Sequence, residues 1–105
     1  MAKGVSALEA LMERRCREDL TRVLASESGR RFLWYLMDRA HVFRSSFTGN
    51  SETFFREGER SMGLFVLAGV LDVGPEVFGR MQKEFGAWLS ELEIEAKKEE
   101  EGHGR

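Results

Sequence analysis

Apolar residues recur along most of this chain at three- and four-residue steps, the period of an α-helix with one buried face. The first such stretch holds Leu8, Leu11, Met12, Cys16, Leu20, Val23 and Leu24. Ser6 and Glu9 precede it at capping-box spacing, so a helix is predicted from Ser6 to about Ala25. Ser26-Glu27-Ser28-Gly29 then interrupts the pattern with capping and backbone-relaxing residues. A second helix is predicted over Arg30 to Ala40, where Phe32 to Met37 are contiguously apolar. A buried strand competes for so short a run, but Leu33, Leu36, Met37 and Ala40 keep helical spacing.

His41 to Ser51 reads as an ordered central loop with Val42, Phe43 and Phe47 set among hydroxyls. Asn50 or Ser51 caps a third helix running to about Asp72, with Glu52 in its first turn. Gly58, Met62, Phe65 and Gly69 share one face of it, small alternating with large. Each interior glycine there costs roughly 1 kcal/mol against alanine, and close approach of a neighbouring helix would explain them. Gly74-Pro75 ends this helix and opens the fourth, because proline suits the first helical position. Phe78, Met81, Phe85, Trp88 and Leu92 form a heptad-like seam on it. From Glu93 the chain is rich in Glu and Lys, which predicts a fraying helix end and a flexible acidic tail at 99–105. The fold class expected is all-α: a four-helix domain over 1–98 with that tail.

Composition narrows the function. The 105 residues are 42% apolar and 32% charged, enough to form one core in one domain. One cysteine allows neither an internal disulfide nor a four-cysteine zinc site. The longest strongly apolar run, Leu64 to Leu71, falls far short of the roughly 20 residues of a spanning helix. Charged residues from Glu9 on leave no uninterrupted apolar export stretch, so the chain is expected in a reducing cytoplasm or in a particle assembled there. The net charge of −2 conceals an asymmetry. Residues 14–44 carry eight arginines against four acids, and residues 61–105 carry nine acids against five basic groups.

Catalytic chemistry finds little footing. A nucleophilic enzyme would need Cys16 activated by a base such as His41, but Cys16 lies on an apolar helix face, where cysteine behaves as a small buried hydrophobe, and among the 18 acids no carboxylate pair stands out. No metal-binding spacing occurs, and no cofactor is expected. The loop before the third helix lacks the glycine-lysine signature of a phosphate loop. Arg30, Arg31 and Arg39 make the second helix the sole candidate DNA-recognition helix, yet its aromatics favour burial. Phe32, Trp34, Tyr35, Phe43, Phe47, Phe54 and Phe55 crowd a segment too short to bury them all, which points to a protein–protein interface.

The stretch Glu27 to Leu71 resembles a family of small virion-associated proteins of short-tailed phages. The resemblance lies in Gly29-Arg30-Arg31-Phe32-Leu33-Trp34, in Val42-Phe43-Arg44-Ser45-Ser46-Phe47-Thr48-Gly49-Asn50-Ser51, and in Thr53-Phe54-Phe55 with Glu57-Gly58, Arg60 and Gly63-Leu64. Where that family often has glycine, this chain has His41; where it often has proline before its Glu-Gly-Arg start, this chain has Ser26-Glu27-Ser28. Members are described as phage structural proteins and some as endopeptidases, so the resemblance implies a role in the particle or its assembly.

Together these readings predict a non-enzymatic phage virion or assembly protein, oligomeric, acting on other virion proteins or on itself. Its expected contact surface is Arg30, Arg31, Phe43, Arg44, Phe47, Asn50, Arg56 and Arg60. Arginines would pair with carboxylates while aromatics fill pockets. The alternatives are a nucleic-acid-binding packaging or ejection factor, and an endopeptidase or cell-wall-remodelling enzyme. The expected location is the bacterial host cytoplasm during assembly, and then the virion.

Overall fold

A computed structural model describes residues 6–43 and 52–103. Those residues form four helices: α1 (Ala7–Leu24), α2 (Glu27–Arg39), α3 (Glu52–Val73) and α4 (Pro75–His103). The all-α expectation is met. The central loop from Arg44 to Ser51, with the expected cap of α3, lies outside the described residues.

Local chemistry sets the helix ends. The Ser6 hydroxyl accepts the Glu9 N–H at 3.1 Å and the Glu9 carboxylate accepts the Ser6 N–H, completing the capping box of α1. The Ser26 hydroxyl accepts the Gly29 N–H at 3.0 Å, so α2 starts at Glu27, three residues before the predicted start.

The end of α2 is a Schellman motif. Val42 N–H donates to the Met37 carbonyl at 3.2 Å, and His41 N–H donates to that of Asp38 at 3.0 Å. The motif requires a left-handed residue between them, and His41 supplies it with φ 62°. Its apolar closure is the pair Val42 and Met37, both buried. That conformation is the one glycine adopts without strain. Gly74 ends α3 and Pro75 opens α4; the two helices meet at 116°.

All four helices meet at one core. Leu24 of α1, Trp34 and Met37 of α2, Val70 of α3 and Met81 of α4 are buried with Val42. Leu20, Leu33, Val66, Leu67, Phe78 and Phe85 pack partly against them. Gly63 of α3 lets the α2 terminus approach: a Cβ there would stand 2.5 Å from Val42 Cγ2 and 2.6 Å from Ala40 Cβ. Gly69 faces Leu20 of α1 in the same manner. Close approach therefore explains those two glycines; of the face expected to receive a neighbouring helix, Gly69 does so and Gly58 meets none of the described residues.

Two further features differ from expectation. Helix α4 continues through the predicted tail to His103, since Glu and Lys are good helix formers and nothing breaks the run. Cys16 is exposed rather than buried. The core-facing side of α1 runs through Leu20 and Leu24, about 40–80° around the helix from Cys16 at 100° per residue. The long α4 leaves the molecule extended, 69 × 39 × 20 Å with a radius of gyration of 18.0 Å. A compact chain of this length would have about 13 Å.

Two substitutions test these ends. Gly63→Ala should lower stability by about 1–3 kcal/mol, because neither Ala40 nor Val42 can swing aside. His41→Gly should leave the melting temperature unchanged or higher, whereas His41→Val should cost about 1–2 kcal/mol in left-handed strain. Thermal melts followed by circular dichroism measure both.

Candidate interaction surface

The predicted contact residues divide sharply once placed. Arg30 is only 3% exposed, so it is an internal residue rather than the surface contact expected of it. It sits one turn into α2, facing α4. Its Nε and Nη2 each donate at 2.8 Å to the two carboxylate oxygens of Glu84, a bidentate pair. Its Nη1 donates at 2.9 Å to the Leu24 carbonyl at the end of α1. One guanidinium thus ties three helices. Arg80 adds a second contact to Glu84 at 3.3 Å.

Hydrogen bonding to Arg30 outweighs burial and holds the Glu84 carboxyl below its ordinary range. The same hydrogen bond raises Arg30 against the desolvation that opposes its charge. Among the described residues, no buried side-chain nitrogen or oxygen lacks a partner.

Beside this pair lies an aromatic cluster. Trp34 stacks on Phe43 at 4.9 Å between centroids and on Phe85 at 5.5 Å, and tilts against Phe78 at 5.3 Å. Phe85 meets Trp88 edge-on. Arg31 lies over the Trp88 ring at 5.6 Å, a cation–π contact. Phe43 therefore spends one ring face inside the molecule and remains partly exposed. Arg60 is half-buried, with its Nε donating to the His41 carbonyl at 3.2 Å, and Arg56 is half-buried on α3. Arg44, Phe47 and Asn50 lie outside the described residues.

Much of the predicted arginine–aromatic surface thus braces the fold itself. The outward surface is more apolar. On α1, Leu8, Leu11 and Met12 are exposed; on α2, Phe32, Tyr35 and Leu36; on α3, Phe54, Phe55, Met62 and Phe65. An open groove of about 680 Å³ lies between α1 and α3, with Leu20, Leu33, Phe65 and Val66 in its lining and Arg17 bridged to Asp72 at 2.7 Å on its rim. The sequence places Met62 and Phe65 on one face with Gly58 and Gly69 and suggests the approach of a neighbouring helix there, but it does not put that face on the contact surface. The signal was their helical spacing with Gly58. Glu84 had no sequence signal, being one of 18 acids. No three His, Cys, Asp or Glu side chains among the described residues gather as metal ligands do.

Fold and site together define a small all-helical protein with an ion-paired interior and an apolar exterior. The model of the Bbp19-like phage protein family matches residues 20–83, from the last turns of α1 into α4, and the chain belongs to that family. No curated protein and no solved structure matches it.

The ion pair makes a pH prediction. Glu84 takes up its proton at lower pH in the folded chain than in the unfolded chain, so its stabilisation is complete above its ordinary value near 4.5. It is lost as pH falls below that value and the unfolded chain protonates first. Glu84→Ala should cost about 3 kcal/mol at neutral pH by stranding Arg30, while the double change Arg30→Met with Glu84→Leu should cost clearly less. Urea denaturation at neutral pH and at acid pH reads both.

Proposed function

We propose that this phage protein is a non-enzymatic component of the particle or of its assembly, acting through protein–protein contacts in an oligomeric setting. The observation that carries the reading is the imbalance between inside and outside. Among the described residues six apolar side chains are buried, three of them fully, while many more large ones remain exposed. The accessible surface of 8110 Å² compares with about 6,000 Å² for a compact monomer of 12.0 kDa. The excess reflects the extended shape, including the solvated Glu- and Lys-rich end of α4.

Charge supports the same reading over a nucleic-acid one. Arg30 is buried on Glu84, and Arg17 and Arg22 are ion-paired at the surface with Asp72 and Asp19, so three of the eight arginines of residues 14–44 have an acidic partner within the chain. Phosphate binding needs cations that face outward.

Mass spectrometry of purified particles and assembly intermediates tests the proposal. The expected result is this chain in a constant ratio to the major virion proteins. A chain abundant in producing cells yet missing from particles and intermediates alike overturns it, as would salt-sensitive DNA binding as its sole association.

A further inference from the structure

Helix α3 contains three glycines on its length beyond Glu57, and two of them have a neighbour inside the chain. Gly63 meets Ala40 and Val42, and Gly69 meets Leu20. Gly58 meets none of the described residues: outside its own stretch of helix backbone, no described atom lies within 4 Å of where its Cβ would stand. A glycine in an exposed helix interior weakens the helix, and no contact among the described residues offsets that at Gly58.

The residues around it define that contact. At 100° per residue, Phe54, Gly58, Met62 and Phe65 fall within about 80° of arc. Phe54 is 81% exposed, Phe65 74% and Met62 64%. Gly58 is thus a notch in a ridge of large apolar side chains. Further along the same stripe, Gly69 already receives Leu20 of α1, so the chain itself uses this stripe for helix packing.

We propose that this face of α3 docks on the same face of a second copy, the two helices antiparallel across a two-fold axis at Gly58. This rests on the protein-contact reading above and names its partner. An isologous interface needs bump and notch on one patch, and position i must suit j as j suits i. Phe54 and Met62 stand four residues before and after Gly58. About the axis, Phe54 of each copy therefore lies over Met62 of the other, and the two Gly58 backbones approach closely. The stripe positions Phe54, Gly58, Met62 and Phe65 are uncharged, while Glu57 and Glu59 lie about 100° to either side of Gly58, on the flanks of the pairing. Phe54, Phe55, Met62 and Phe65 expose on the order of 500 Å² of side-chain surface per copy, most of the roughly 800 Å² per partner of a stable interface. The adjoining groove, edged by Phe65, supplies more.

Light scattering on the full chain across a dilution series tests this. A mass near twice 12.0 kDa is expected, and Met62→Glu should weaken association roughly tenfold or more with unchanged circular dichroism. In a Cys16→Ser background, Gly58→Cys should form a disulfide-linked dimer on mild oxidation, and Glu57→Cys, a quarter-turn away, should not. A monomer at every concentration overturns the proposal, as does binding to lipid vesicles without self-association. A dimer indifferent to Met62→Glu and without Gly58→Cys cross-linking overturns this face. Either failure leaves the chain's presence in particles, the test of the broader reading, standing on its own result.

Discussion

Arg30 is the constraint around which the helices are arranged. A guanidinium cannot shed its charge, so burying it demands a carboxylate and acceptors for its N–H groups. Glu84 supplies the charge and both forked bonds, and the Leu24 carbonyl supplies a third acceptor. These partners come from the end of α1, the start of α2 and the middle of α4. Satisfying one side chain therefore fixes the relative placement of three helices. Such a pair adds little net stability over a well-packed apolar substitute, but the structure fails badly if one half is removed.

Around that anchor, α2 acts as the hub. Arg30, Trp34 and Met37 lie on one face of it, at steps of four and three, and all are buried. Trp34 gathers Phe43, Phe78 and Phe85, while the Schellman end of α2 delivers Val42 to the core and turns the chain away. Gly63 then allows α3 to lie against that end. With its inward face fully used, α2 leaves Phe32 and Tyr35 outside, and α1 and α3 leave apolar stripes of their own. A short chain of extended shape has more apolar residues than one small core can take. That surplus is the physical basis for reading this phage protein as a piece of a larger assembly.

Legibility in the sequence followed the range of the interaction. Helix existence was readable from spacing, and the ends governed by local chemistry were readable from a few residues: Ser6 with Glu9, Gly74 with Pro75. The start of α2 was misplaced because Ser26 was read as punctuation between helices, whereas its hydroxyl caps one. The seam Phe78, Met81, Phe85 and Trp88 packs as its spacing implied, while Leu92 lies beyond the core and stays exposed. Phage kinship was legible because the central residues carry it.

The candidate surface was harder to read, because charge and aromaticity in a sequence do not say which way a side chain faces. Arg30 and Arg31 are neighbours with similar chemistry, yet one is buried on Glu84 and the other lies over Trp88. Cys16 shares a helical pattern with Leu20, yet only Leu20 packs against the core. By itself, the sequence determined four helices, the cap of α1, the Gly74-Pro75 break and the all-α class, since each depends on residues within a turn or two of one another. Only the tertiary structure decided that Glu84 is the partner of Arg30, 54 positions away, that α1 turns Cys16 outward, and that Gly58 alone of these α3 glycines meets none of the described residues. Those outcomes depend on how whole helices rotate and cross, which no local spacing specifies.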